Sequence, residues 1–427
     1  MPKLTVIVPV YNVEKYLREC LDSLLNQTFD DFNIVCVNDG STDSSLEILE
    51  EYKSKDDRIT VISQDNLGVS KARNAAMGHI TGEYTYFMDS DDVIEPDAFE
   101  TLYKIAEDKA LDFVIFKIIN FDDETGEKQP NKYYDMPYLK ESVGEDIFSH
   151  ADIDPHDVFR IAVTPASKFY RSDLIKDLRF PENLIFEDNV FFIESFFKAE
   201  RVYFYDEYLS NKRVRKGSIT HSPDASFMDY IAISDKLIEV AKQYGLYDIY
   251  RKELYFKTLN NIFFRFTQVD DDVKVEFFDK IQKDFKSKRD EYANDEDFRS
   301  SPERIKKIFY EGIESQTYRE YELSINVFDL EDKIVKQQDR YEERITHYRG
   351  RIDRLNDDIS NKRNQIKSLK GDIAKKNKQI KRLNGKIDKL NERNDALKKV
   401  NDDLMNSTSW KITKPLRKVG DFARRQS

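Results

Sequence analysis

Apolar and polar positions follow two alternating rhythms through the first hundred and twenty residues. Short, nearly unbroken apolar runs occur at "LTVIV" (4–8), "FNIVCV" (32–37), "ITVIS" (59–63), "EYTYFM" (83–88) and "DFVIFKI" (112–118). Runs of this length and composition predict buried strands. Between them, apolar residues recur at helical spacing. Tyr16, Leu17, Leu21, Leu24 and Leu25 do so within 14–26, and helices are also predicted over 43–53, 69–77 and from Pro96 to Lys109. Pro96 suits the first turn of a helix. Strands alternating with helices predict an α/β fold with a doubly wound, mostly parallel sheet. In such sheets ligands bind beyond the carboxyl ends of the strands. Polar residues gather at those ends: Tyr11-Asn12, Asn38-Asp39-Gly40, Asp65-Asn66 and Asp89 to Asp92.

The pattern weakens from about 120 to 165, where loop signals dominate. It strengthens at 187–198, predicted as a helix, and at 201–215, predicted as two short strands. Residues 223–330 read as a mostly helical accessory region with aromatic faces and no chemical motif. From 331 the rhythm changes again. Ile345, Ile352, Ile359, Ile366, Ile373, Ile380 and Ile387 recur every seven residues, and Leu355, Leu369, Leu383, Leu390, Leu397 and Leu404 take the position three later. Isoleucine at a and leucine at d predict a parallel two-stranded coiled coil over 331–405, hence a homodimer. Lys362, Lys376, Asn394 and Asn401 interrupt the seam, at a cost in stability but with a gain in register.

Composition narrows the class. The chain has 427 residues, 39% hydrophobic and 35% charged, which suits a globular part joined to a charged helical part. A formal net charge of -12 argues against a general nucleic-acid binder. Cys20 and Cys36 are the only cysteines and lie in no metal-ligand spacing, so a reducing compartment is expected. No apolar run approaches the roughly 20 residues of a membrane span. The N-terminal "MPKLTVIVPVYN" reads as a first buried strand rather than a signal segment, and a cytoplasmic protein is the expectation.

Asp89, Asp91 and Asp92 carry the chemistry. Helix capping accounts for one or two acids at this place but not three. The spacing Asp89-x-Asp91 projects two carboxylates into one crevice, and hard oxygen ligands suit Mg²⁺ or Mn²⁺ shared with substrate phosphates.

"VIVPVYNVEKYLRECLDSLLNQTFDDFNIVCVNDGSTDSS", followed by "NLGVSKARNAAMGHITGEYTYFMDSDD", resembles the nucleotide-diphospho-sugar domain of family 2 glycosyltransferases, inverting enzymes of the GT-A fold. The resemblance covers residues 1–222. It implies that Pro9, Tyr11 and Asn12 pack around the nucleotide base with Glu14 alongside, and that Asp39 recognises uracil, whose imide N–H a carboxylate can accept. It further implies that Arg73 lies near the nucleotide phosphates, that Asp89 reaches ribose and metal-bound water, and that Asp91 is the direct metal ligand. Asp92 would hold this loop or touch the donor sugar. "NLIFEDNVFF" resembles the family's ED motif, which makes Asp188 the base that deprotonates the acceptor hydroxyl and Glu187 its neighbour. "NKRVRKGSIT" resembles the segment that closes over the pyrophosphate, through Arg213, Arg215 and Ser218.

The resemblance thus implies a metal-dependent hexosyl- or N-acetylhexosaminyl-transferase using a UDP-sugar donor and a glycan, lipid-linked or protein-linked acceptor in bacterial surface glycan synthesis. A sugar-phosphate nucleotidyltransferase is the alternative, but the glycine- and basic-rich triphosphate loop it needs is missing from "VIVPVYNVEKY". A coiled-coil scaffold carrying an inactive domain is the third reading. The joint presence of Asp39, Asp89, Asp91 and Asp188 argues against it. The last segment, 406–427, sets Trp410 among Lys411, Lys414, Arg417, Lys418, Arg424 and Arg425, a composition suited to an anionic membrane surface or to a docking partner.

Overall fold

The computed structural model describes residues 2–215, 224–413 and 417. Ser218 and most of the basic tail lie outside the described residues, as do the expectations attached to them. The strands are β1 (Leu4–Val10), β2 (Phe32–Asp39), β3 (Ile59–Gln64), β4 (Tyr84–Phe87), β5 (Val93–Ile94), β6 (Phe113–Asp122), β7 (Lys128–Gln129), β8 (Lys168–Arg171) and β9 (Val202–Val214). They form one sheet in the order β3-β2-β1-β4-β8-β6-β9-β5, with β7 paired to β6. The half from β3 to β4 is parallel, as the strand–helix alternation predicts. β8 is antiparallel to both its neighbours, β4 and β6, and β9 then runs parallel to β6. The sheet is therefore mixed.

The first helices match the apolar spacing: α1 (Leu17–Leu25), α2 (Ser45–Lys53), α3 (Val69–Met77) and α4 (Ala98–Asp108). Where the sequence pattern weakens, α5 (Lys132–Asp135), α6 (Pro137–Val143), α7 (Pro155–Val158) and α8 (Ser172–Ile175) are single turns or little more. α9 (Glu187–Lys198) is followed by α10 (Tyr230–Gln243), α11 (Tyr247–Gln268), α12 (Asp271–Asn294), α13 (Glu296–Arg299), α14 (Glu303–Glu314), α15 (Tyr318–Asn406) and α16 (Thr408–Ile412).

Side chains alternate across the sheet and feed two cores. Leu4, Val6, Val8 and Val10 of β1 pack with α1, α2 and α4, whereas Ile7 faces α3 and α9. This second core runs on without a break into α10, α11, α12 and α14, through Ile233, Leu254, Phe277 and Phe309. Helices α10 to α14 therefore lie in the same compact unit as the sheet, residues 1–331. Each large apolar side chain buried in these cores contributes roughly 1.5–3 kcal/mol.

Two expectations change. Within 201–215 there is one 13-residue strand, Val202–Val214, not two. Its register against β6 shifts between Phe116 and Ile118, opposite Tyr205 to Ser210, so a bulge interrupts the ladder without ending the strand. β8 was not anticipated, because four residues with charged ends carry no readable period.

The second unit, residues 332–427, is dominated by α15. The helix begins at Tyr318, before the change in composition, because Tyr321 and Ile325 are buried in the first unit's core. Along the heptads Ile345, Ile352, Leu355 and Ile366 remain about half exposed, forming an apolar seam on a single helix. No helix among the described residues is long and apolar enough to cross a membrane.

Candidate active site

The site is built at the carboxyl ends of β1, β2 and β4 and completed by α9 and β9. After β1 the chain enters a loop in which Asn12 takes a left-handed backbone conformation, φ 49°. Non-glycine residues hold that conformation only when their surroundings enforce it. Here the Asn12 side-chain oxygen accepts from the Thr42 amide at 2.8 Å, and a Glu14 carboxylate oxygen accepts from the Ser44 amide at 2.8 Å. Asn12 and Glu14 thus tie the first loop to the second. Tyr11 is left exposed beside Pro9, which is only partly buried.

Asp39 is buried at the end of β2. One of its oxygens accepts from Gln64 Nε2 at 2.7 Å and the Leu67 amide at 2.9 Å, and the other from the Gly68 amide at 2.9 Å. It therefore shapes the loop after β3. Gly40 follows with φ 68°, and a Cβ there would sit 2.5 Å from the Asn66 nitrogen, so only glycine fits this crossing.

β5 pairs with β9 in the register Val93 to Asn211 and Ile94 to Ser210, which brings the acidic cluster against the basic end of β9. Lys212 Nζ lies 3.6 Å from Asp89 and 3.7 Å from Asp92. Arg215 Nε donates to Asp91 Oδ2 at 2.8 Å. The Arg213 amide donates to Asp92 Oδ1 at 2.8 Å. Burial pushes the Asp92 carboxyl up to about 7, aided by Asp89 and Asp91 and opposed by Lys212. Burial also acts on Asp89, but there Lys212 and Arg73 outweigh it and hold the carboxyl below its ordinary range.

Arg73, on α3, is the central cation. Its Nη1 contacts Glu187 at 2.6 Å and its Nη2 contacts Asp89 at 3.1 Å, with the guanidinium over the Phe180 ring. One buried group therefore joins the strand-end acids to the start of α9. That helix opens from Phe186, itself left-handed at φ 68°. Glu187 is buried, and burial pushes its carboxyl up to about 7 against the pull of Arg73. Asp188 keeps part of its surface exposed and accepts from Asn189 Nδ2 at 3.0 Å. Burial raises its pKa too, with Arg73 and Lys168 opposing.

Among the described residues, four carboxylates (Asp89, Asp91, Asp92, Glu187) share three cations (Arg73, Lys212, Arg215), and Asp188 has no cation at ion-pair distance. With all five acids ionised, two negative charges are uncompensated at that range. No group of three or more acidic, histidine or cysteine side chains is arranged to enclose a metal among the described residues.

The structure thus brings together Asp89, Asp91, Asp92, Arg73, Glu187, Asp188 and Arg215. Arg213 does not join them as a free phosphate contact. Its guanidinium is held by Asp123 at 2.9 Å, by Glu19 and by the Asp91 carbonyl, under the rings of Tyr16 and Phe121. It is a clamp that fixes the acidic loop from behind. Lys212 is the residue that sequence reasoning missed. Alternation along β9 sends Lys212 to the face opposite Arg213, and that period was the available signal.

A family model described as "Glycosyl transferase family 2" matches residues 5–163. The chain is 37% identical over 222 residues to Glycosyltransferase GlyA of Streptococcus pneumoniae serotype 4, covering 51% of this chain and 31% of that protein. It is 33% identical over 263 residues to Putative glycosyltransferase EpsH of Bacillus subtilis, covering 59% of this chain and 73% of that one. The chain therefore spans about a third of the first relative and nearly three quarters of the second. Among solved structures, that of S. aureus TarS residues 1–349 in complex with UDP is similar over 77% of this chain and 91% of its own, with a TM-score of 0.59 and 22% identity, a likeness of fold.

Proposed function

The chain belongs to glycosyltransferase family 2, and from that premise we propose that it transfers a sugar from a UDP-sugar to an acceptor hydroxyl with inversion at the anomeric carbon. Arg73 carries the reading: a single guanidinium spans Asp89 at 3.1 Å and Glu187 at 2.6 Å, which ties a donor-side acid to the neighbour of the base candidate Asp188. Asp188 accepts the proton of the acceptor hydroxyl as its oxygen attacks, and the bond from the sugar to the diphosphate breaks on the opposite face. Its pKa, raised by burial, makes it a stronger base than an ordinary carboxylate. A carboxylate offers about four acceptor positions. Asp39 uses three on Gln64, Leu67 and Gly68, which leaves one for the imide N–H of uracil.

The residues fit a divalent ion of the Mg²⁺ or Mn²⁺ kind. Asp91 and Asp89 supply hard oxygens, and such ions take remaining ligands from water and phosphates. When bound, the ion offsets the charge that develops on the departing diphosphate. Arg215, paired with Asp91 before donor arrives, is proposed to exchange onto that diphosphate. Acceptors of this reading are glycans or lipid-linked glycans of the bacterial surface, and the half-exposed heptads of α15 are proposed to pair with a second copy in parallel.

Titration calorimetry with UDP and Mn²⁺ tests the donor site. Wild type is expected to bind, and Asp91→Asn to bind at least tenfold more weakly. Absence of UDP binding by wild type overturns the assignment.

A further inference from the structure

A cavity lies on the far side of the acidic loop from the site described above. Side chains alternate along β9: Lys212 turns toward Asp89 and Asp92, so Asn211 and Arg213 turn the other way. On that far face a cavity of about 430 Å³ opens between α1, β5, the β6–β7 hairpin and the end of β9. Small-molecule sites occupy roughly 300–1,000 Å³. The floor is apolar, made by Val93, Ile94, Pro96 and the ring of Phe121. The rim is polar, with Glu19 and Asn26 from α1 and its end, Glu95 after β5, and Lys128 from β7. Asp89, Asp91 and Asp92 do not line it.

The charges around this cavity are already answered. Glu19 meets Arg213, and Glu95 accepts from Lys128 at 3.1 Å and from the Asn211 side-chain amide at 2.9 Å. Asp123, the other acid on Arg213, is held by Lys15 at 2.7 Å. Three acids thus stand against three cations, and an ionic ligand gains no net attraction. What stays open is hydrogen bonding. A carboxylate offers about four acceptor positions and an ammonium three donors. Glu95 Oε2, Glu19 Oε1 and Asn26 Oδ1 have no donor among the described residues, and Lys128 donates only to Glu95 there. A phosphate would meet two carboxylates at this rim. An apolar ligand would strip water from Glu19, Glu95 and Lys128 and replace none of its hydrogen bonds. A sugar ring carries hydroxyls at its edge and C–H groups on its faces, and so matches a polar rim around an apolar floor with one aromatic ring. We propose that this cavity binds a neutral sugar residue, separately from the acceptor that meets Asp188. Its wall is continuous with the acidic cluster: Val93 follows Asp92, Asn211 precedes Lys212, and Val93 and Asn211 are paired in the sheet. A sugar held there bridges α1 to the β5–β9 pair, the two strands that bring Lys212 to the acids.

The test uses the full chain. Saturation-transfer NMR and calorimetry are run with glucose, galactose, N-acetylglucosamine, lactose and cellobiose, each with and without UDP and Mn²⁺. At least one sugar is expected to bind with a Kd of about 10 mM or tighter, whether or not UDP is present. Asn26→Trp sets an indole across the rim from an exposed position and is expected to weaken that sugar about tenfold, at unchanged melting temperature. Should Asn26→Trp melt early, Lys128→Met/Asn26→Ala decides, and a loss of about threefold or more is expected, since both polar groups lie on the exposed rim. Binding of no sugar, or binding by the folded variants as tight as in wild type, refutes the site. Displacement of the sugar by UDP also refutes it and assigns the sugar to the donor pocket. Failure of UDP itself to bind removes the donor reading alone, because the sugar titrations and both variants are also read without UDP.

Discussion

Replacing Arg73 with methionine removes the cation that joins the two halves of the site while keeping an apolar stem over Phe180. In wild type Glu187 is buried and its pKa is raised from 4.5 to about 7. At 1.36 kcal/mol per unit, the ionised carboxylate already costs the folded state about 3 kcal/mol at pH 8. The sign follows from proton linkage. Between the unfolded and folded pKa values the native state binds more protons, so the contribution of Glu187 to stability falls as pH rises through that window. Removing Arg73 withdraws the largest force holding that pKa down, so the window extends to higher pH. Losing one partner of a buried pair costs roughly 3–5 kcal/mol. Urea unfolding of Arg73→Met should therefore show a loss near that size at pH 8 and a smaller one at pH 5.5, where Glu187 is neutral. Arg73→Met/Glu187→Gln should regain the part of the loss at pH 8 that comes from Glu187, while Asp89 keeps Lys212 as its remaining cation. A loss equal at both pH values, or a double variant no better than the single one, would refute the part assigned to Glu187 and leave the effect to Asp89, ionised at both pH values, or to packing against Phe180.

Two further predictions concern the scaffold. Gly40→Ala places a Cβ 2.5 Å from the Asn66 nitrogen at a positive φ, and the expected cost is about 1–3 kcal/mol in urea unfolding; a neutral substitution would show that the loops yield. Light scattering should find the full chain dimeric and residues 1–331 monomeric, the cut being set after Tyr321 and Ile325 so that the core is kept. An unchanged mass per particle after truncation would remove the seam of α15 from the dimer.

Much of the sheet was legible because its parallel half is buried on both faces, and buried strands write themselves as unbroken apolar runs. α3 was predicted over the residues it occupies, 69–77, because Ala72, Ala76 and Met77 face the core at helical spacing. β8 was not legible. Its neighbours come from distant parts of the chain, and only tertiary pairing with β4 and β6 makes a strand of four residues. The acids of the site could be read because charge at the end of a core strand is conspicuous. The cations could not be assigned in the same way. Lys212, Arg213 and Arg215 look alike in sequence, yet a bulged strand sends Lys212 to Asp89 and Asp92, Arg213 to Glu19 and Asp123, and Arg215 to Asp91.

The central claim is that Asp188 deprotonates an acceptor at a pocket that holds a nucleotide sugar. The direct measurement is release of nucleoside diphosphate from a panel of UDP- and GDP-sugars with Mn²⁺, for wild type and Asp188→Asn, with nucleotide affinity measured on the same preparations. Release of UDP from at least one UDP-sugar is predicted, falling by roughly 10²–10⁴-fold in Asp188→Asn while UDP affinity is preserved. Release that is unaffected by Asp188→Asn, or none from any nucleotide sugar, would contradict the account.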